Sequence, residues 1–272
     1  LRKSLRTPDQ VGAGFSGITL QVRRMAMLRV LFVLCTLISS ASFARAAEPV
    51  DLLLVLASDV SRSVDQPKFQ LQRDGYAAAL NDRRVIEAIM SGANRRVALC
   101  FVEWSGAGAQ KVVIDWTLID GADAARKFSD ALVEAPRSFA DRTSISGAID
   151  FSMEQFARAP FESKRRTIDV SGDGTHNAGR GLLAAREDAL AQGVTINGLV
   201  ILSERPLPWN PEHTNPPGGL AKYYQDNVIG GPGAFVMVAE NFQSFGQAII
   251  AKLIAEIASA PNDATTGLAS TR

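Results

Sequence analysis

A doubly wound α/β domain, with a mostly parallel central sheet and helices on both faces, is the fold this sequence predicts, and three observations carry that expectation. Short apolar runs alternate with helix-period segments from residue 50 onward, the pattern of strands joined by crossover helices. Several of the runs are almost continuous Val, Leu and Ile, as strands buried on both faces require; a sheet with one wet face would alternate instead. Two of the runs end in a loop that begins with Asp, at 59 and at 173, and the carboxyl ends of parallel strands are where such sheets gather ligands.

The predicted strands are 50–57, 96–104, 111–116, 166–170, 195–201 and 234–238. Segment 111–116 reads as the edge strand. Helices are expected at 67–80, 122–133, 145–156, 181–192 and 242–257. In the last, Phe242, Phe245, Ile249, Leu253 and Ile257 recur at helical spacing, a stripe that belongs to the core. Pro206, Pro208, Pro211, Pro216 and Pro217 make 205–219 a surface loop, because proline disrupts regular elements.

The first 46 residues have a different character. Arg23, Arg24 and Arg29 precede the apolar run Val30 to Ile38, and Ala44-Arg45-Ala46 supplies small residues for cleavage, the layout of a secretory signal. The run is too short for a bilayer core, which needs about 20 apolar residues. The expected organisation is an untranslated or disordered extension over 1–24 with translation starting at Met25 or Met27, a signal peptide over 25–46, one domain over 47–260 and a disordered tail over 261–272. Cleavage is expected after Ala46 or Ala47, and no later segment is expected to span a membrane. The product would be periplasmic or secreted, from a bacterium.

Removing 1–46 leaves 22 Lys+Arg against 27 Asp+Glu, a formal net charge of −5, although the whole chain shows +1. An acidic surface without basic runs argues against a nucleic-acid partner. Of the two cysteines only Cys100 lies outside the signal, so no intrachain disulfide can form there. Cys100 sits in an apolar run and reads as a small core residue.

Asp59, Ser61 and Ser63 follow a buried strand at alternate positions and can turn three oxygens toward one point. A hard divalent cation prefers such oxygen donors. Asp173 ends a second strand, and Thr143, next to Ser144, opens a helix either as its cap or as a hydroxyl donor. Alone, the D-x-S-x-S pattern is weak, since Asp and Ser are common in turns. Asp169 lies inside a strand and needs a partner there, for which an Arg is the expectation. Glu103, at a strand end, reads the same way or as a group close to the ion.

Taken together, Asp59-x-Ser61-x-Ser63, Thr143 and Asp173-Gly174 resemble the metal-ion-dependent adhesion site (MIDAS) of von Willebrand factor A domains, in order and in broad spacing. The resemblance covers roughly residues 50–258. It implies a Rossmann-like sheet with one antiparallel edge strand, and metal-ligand roles for Asp59, Ser61, Ser63, Thr143 and Asp173. The segments E-W-S (103–105), I-D-V-S-G-D-G (168–174), I-N-G-L (196–199) and N-V-I-G-G-P-G-A-F (227–235) resemble an exported bacterial branch of these domains whose function is unknown. Ser58 departs from the aliphatic residue usual before the first Asp, and the 205–219 loop is long.

The functional expectation is a non-enzymatic, adhesion-type binding module. Mg²⁺, with Mn²⁺ or Ca²⁺ as alternatives, would keep one position open for an acidic residue of a protein partner, with Trp209 on the nearby loop adding an apolar contact. The rival readings are a metal-assisted hydrolase and a structural domain with a vestigial site. No H-E-x-x-H, G-x-S-x-G or Cys–His pairing supports hydrolysis, and only His176, three residues past Asp173, is placed near the ion. The loop after the first strand lacks the glycines that admit a pyrophosphate.

Overall fold

The computed structural model describes residues 47–203 and 206–258. The predicted extension, export signal and tail lie outside the described residues. In chain order the elements are β1 (Glu48–Pro49), β2 (Leu53–Asp59), α1 (Gln66–Leu80), α2 (Arg83–Met90), β3 (Val97–Trp104), β4 (Gln110–Ile119), α3 (Ala122–Glu134) and α4 (Ile145–Arg158). They continue with β5 (Phe161–Glu162), β6 (Arg166–Gly172), α5 (Leu182–Ala191), β7 (Thr195–Ile201), α6 (Pro211–Thr214), α7 (Leu220–Asn227), β8 (Val236–Ala239) and α8 (Phe245–Ala258).

Among the described residues, six strands form one sheet in the order β4-β3-β2-β6-β7-β8, and β1 pairs with β5 in a separate two-stranded ladder. All pairings in the large sheet are parallel except β3 with β4. The antiparallel edge strand is therefore β4, at the predicted position but longer.

Alternation along β2 builds both cores, because successive side chains point to opposite faces. Leu52, Leu54 and Leu56 pack with Phe69, Tyr76, Phe128, Phe245 and Leu253 beneath α1, α3 and α8. Leu53, Val55 and Ala57 pack with Ile149, Leu182, Leu220 and Tyr224 beneath α4, α5 and α7. Every residue of β2 and β3 is buried, so both strands read as continuous apolar runs. Cys100 is fully buried in the second core, where desolvation pushes its thiol up to about 12.

Strand order decides where a site can form. From β2 the chain crosses to β3 on one side, while from β6 it crosses to β7 on the other. The reversal between the neighbours β2 and β6 opens a crevice at their carboxyl ends, where Asp59 and Asp173 emerge.

Several boundaries differ from the sequence expectation. Two unforeseen helices, α2 and α7, are eight residues each. The proline-rich loop contains the single-turn helix α6, whose His213 and Thr214 are buried. Phe242 precedes α8 instead of belonging to it, yet it still packs in the first core. Among the described residues, no helix is long and apolar enough to cross a membrane.

Candidate metal centre

The loop leaving β2 is shaped by its own first side chain. Asp59 Oδ1 accepts the Ser61 amide at 2.7 Å, folding the chain back so that Ser61 and Ser63 face the same way. Ser61 Oγ and Ser63 Oγ are 3.1 Å apart, and Ser63 Oγ donates to Asp173 Oδ1 at 2.5 Å. The two strand-end motifs, distant in sequence, thus meet directly. Surrounding bonds hold the loop from outside: Val60 N donates to Trp104 O at 2.9 Å, Arg62 N to Asp141 O at 2.8 Å, and Lys68 Nζ to Ser63 O at 2.8 Å.

Thr143 arrives from the segment between α3 and α4. Ser144 is the helix cap, its hydroxyl accepting from Gly147 N at 3.2 Å, which frees the Thr143 hydroxyl for other work. The Thr143 amide donates to Asn177 Oδ1, and the Asn177 amide returns to Thr143 O, both at 2.9 Å. This double tie fixes Thr143 against the loop after β6. Ser63 and Thr143 line one cleft of about 390 Å³ together with Arg62, Arg142, Trp209 and His213. Trp209 is exposed there, as the sequence reading of the loop required.

Charge makes the cluster unstable on its own. Asp59 and Asp173 are fully buried, and one oxygen of each, Oδ2, has no hydrogen-bond partner among the described residues. Burial and then the neighbouring Asp173 push the Asp59 carboxyl up to about 8. Burial also raises Asp173, against the hydrogen bond from Ser63 and the charge of Lys68, whose Nζ lies 3.7 Å away. Two buried carboxylates sharing one partly exposed ammonium are incompletely compensated, and that is costly. A divalent ion would accept both unused oxygens, and the hydroxyls match the hard donors it prefers. Among the described residues, no three His, Cys, Asp or Glu side chains group closely enough to hold a metal, so any ion here must draw on the hydroxyls.

Histidine placement corrects the sequence reading. His176 turns away from the cluster, its Nε2 meeting Arg180 O at 3.0 Å. His213 takes the place expected of it: Nε2 is 3.2 Å from Thr143 Oγ1, and Nδ1 is 3.3 Å from Thr175 Oγ1 and 3.5 Å from Asn177 Nδ2. Burial lowers its pKa, partly offset by Asp173. Its only sequence signal was a histidine in a loop long enough to fold back.

Two further carboxylates are structural. Glu103 binds the Arg73 guanidinium and accepts the Ser138 amide at 2.7 Å, so it anchors the segment leading to Thr143. Asp169 pairs with Lys252 at 2.9 Å, not with an arginine as expected.

No curated protein matches the chain. The chain is similar to a structure of proximal thread matrix protein 1 from the mussel byssus, at TM-score 0.56 and 14% identity, over 77% of this chain and 49% of that one. A second structure of that protein has a zinc-occupied MIDAS motif; it matches at TM-score 0.53 and 14% identity, over 78% and 49%. Similarity extends to a von Willebrand factor type A protein from Catenulispora acidiphila, at 0.51 and 14%, over 76% and 43%, and to the open form of the pilus adhesin SpaC from Lactobacillus rhamnosus GG, at 0.53 and 13%, over 78% and 30%. The chain spans about half or less of the length of these proteins, and identity this low shows the fold alone. A family model described as "Protein of unknown function (DUF1194)" matches residues 49–261. This chain belongs to that family, and its fold is that of a von Willebrand factor A domain.

Proposed function

We propose that the protein is an exported, non-catalytic binding module in which Asp59, Ser61, Ser63, Thr143 and Asp173 hold a divalent ion, Mg²⁺ in the first place, for contact with an acidic residue of a protein partner. One observation carries this reading: two buried carboxylates are linked through Ser61 and Ser63, and one oxygen of each has no hydrogen-bond partner among the described residues. Lys68 offers one charge, 3.7 Å from Asp173, to two buried acids, and a divalent cation would complete the balance. When bound, the ion supplies an electrophilic position at the cleft floor. The chain's own groups orient the donors, and the exposed Trp209 and Arg62 at the cleft mouth can contact an anionic partner surface.

The zinc-occupied motif of the mussel protein and the adhesin role of SpaC support a metal-dependent, adhesive function by analogy. The basic, apolar and small-residue regions of 1–46 support export.

Calorimetric titration tests the metal. Asp59→Ala and Asp173→Ala are each expected to abolish Mg²⁺ and Mn²⁺ binding while the domain stays folded, because the donors sit at a strand end and on loops, outside the apolar core. Unchanged affinity in both variants would refute the site. Capture of periplasmic partners with Mg²⁺, repeated with chelator, tests the binding role; a set of captured proteins indifferent to chelator would refute it.

A further inference from the structure

We infer that the cleft reads two carboxylates of one extended protein segment. The first enters toward Ser63, and the second, two residues along, is taken by the guanidinium groups of Arg62 and Arg142 beside Trp209. The first contact rests on the reading above that an ion is held there; the second is made by the chain's own cations and needs no metal.

Two cations without partners are the first argument. Arg62 and Arg142 are exposed and line the same cleft of about 390 Å³. Among the described residues neither guanidinium has an ion-pair or hydrogen-bond partner, whereas Arg83, Arg84, Arg126 and Arg180, also exposed, each bind a carboxylate. Backbone holds the pair together, because the Arg62 amide donates at 2.8 Å to the carbonyl of Asp141, the residue before Arg142. Asp141 lines the cleft as well, but its carboxylate lies over Gly106, where a Cβ would come within 2.6 Å of Oδ2. Like charges set side by side repel, and an anion that joins them removes the repulsion. The planar fork of a guanidinium matches a carboxylate in particular.

Position is the second. Arg62 lies between Ser61 and Ser63, and Arg142 precedes Thr143, so each cation leaves the backbone one residue, about 3.8 Å, from a candidate ion donor. Ser63 joins the cleft to the acid pair, its hydroxyl donating to Asp173 Oδ1 at 2.5 Å. In an extended segment, residues i and i+2 face the same way about 7 Å apart. An acid at each of these positions therefore places one carboxylate at the floor and the next among the arginines.

Trp209 decides for a polypeptide over a free dicarboxylate. Its side chain is 69% exposed, more than any other large hydrophobic among the described residues, and it lines this cleft. A small diacid would satisfy the charges and leave the indole bare, whereas a segment lays its backbone and intervening side chain against it. Tryptophan beside arginine is the composition of interface anchors.

The probes are the blocked peptide Gly-Glu-Ala-Glu-Gly, its two single Gln counterparts, and glutarate, each titrated by calorimetry in Mg²⁺ and in chelator. The proteins are the unaltered chain, Arg62→Gln, Arg142→Gln, Trp209→Ala, Asp59→Ala, and Arg126→Gln as an exposed arginine outside the cleft. In Mg²⁺ the diacidic peptide should bind at least about tenfold tighter than glutarate or either counterpart, since each of these leaves a group without its partner. Arg62→Gln, Arg142→Gln and Trp209→Ala should each weaken it about tenfold, the loss of one charge-assisted bond or one anchor. Arg126→Gln should leave it unchanged. Mg²⁺ affinity should stay within about threefold in both arginine variants, because exposed charges act weakly through water; a structural role would not separate the two ligands in this way. Peptide binding that depends on Mg²⁺ but ignores both arginines overturns the second anchor and leaves the ion standing. Binding that survives chelator and Asp59→Ala, yet falls in both arginine variants, supports the anchor and overturns the ion. Glutarate bound as tightly as the peptide overturns the protein segment, and no peptide binding by the unaltered chain overturns the whole proposal.

Discussion

Lys252 is a fully buried cation facing two buried carboxylates. Its Nζ lies 2.9 Å from Asp169 Oδ1 and also pairs with Glu256, which accepts from Asn197 Nδ2 at 2.8 Å. One ammonium cannot neutralise both acids. Burial, opposed by Lys252 and reinforced by Glu256, pushes the Asp169 carboxyl up to about 7 from 3.8. A folded-state pKa raised in this way contributes stability that is complete below the unfolded value and lost as pH rises through the folded one. The protein should therefore lose stability between about pH 4 and pH 7, and Asp169→Asn should flatten that slope. Lys252→Met removes the ammonium that pairs with both acids and should cost about 3–5 kcal/mol at neutral pH. Urea denaturation across that pH range measures both effects; an unaltered slope in Asp169→Asn would remove Asp169 as its source. That a carboxylate inside a strand requires a partner was legible from Asp169 itself. That the partner is Lys252 was not, because the apolar stripe of α8 says nothing of where its lysine points.

The strands and the long helices were legible because burial on two faces leaves continuous Val, Leu and Ile runs, and burial on one leaves a stripe. Helices α2 and α7 were missed for the same reason in reverse. Each buries only two side chains, Val85 and Ile89 in one and Leu220 and Tyr224 in the other, too few to establish a period. The five candidate oxygen donors were legible because they lie at strand and helix ends, where position implies direction. The irregular segment 135–142 gave no such cue, yet it organises the site. Arg137 donates through Nη2 to Val60 O at 2.7 Å and Ser61 O at 3.0 Å, and through Nε to Phe139 O at 2.7 Å. It clamps the segment that carries Thr143 onto the loop that carries Ser61. Arg137→Ala should weaken metal binding about 10- to 100-fold, as loss of a supporting hydrogen bond does at metal sites, and cost about 1–3 kcal/mol for the carbonyls left unpaired. Titration calorimetry beside thermal unfolding checks the pair of effects. A fall in stability with unchanged affinity would reduce Arg137 to a structural role.

The crevice between β2 and β6 brings together parts of the chain that are distant in sequence. Asp59 leaves the sheet on one side of the strand-order reversal and Asp173 on the other, and Thr143, from the segment between two helices, lines the same cleft as Ser63. Without a cation, the buried acids there favour protonation, as the raised Asp59 and Asp173 values show. An ion binding only the folded chain adds RT ln(1 + [L]/Kd) to its stability, about 2.7 kcal/mol at a hundred times Kd. For a chain this size each kcal/mol moves the melting temperature by about 2–4 °C, so saturating metal should raise it by about 5–10 °C at neutral pH. Asp59→Asn keeps the shape of the side chain but cannot ionise, so the metal-free variant should melt at or above the unaltered protein and show almost no rise with metal. The combination is diagnostic. A vestigial site would give the unaltered protein no metal-dependent rise, and a metal bound elsewhere on the acidic surface would stabilise both proteins equally. Scanning calorimetry of the two chains, each in chelator and in excess Mg²⁺ or Zn²⁺, separates these cases, and an equal shift in both would move the ion away from the strand-order reversal.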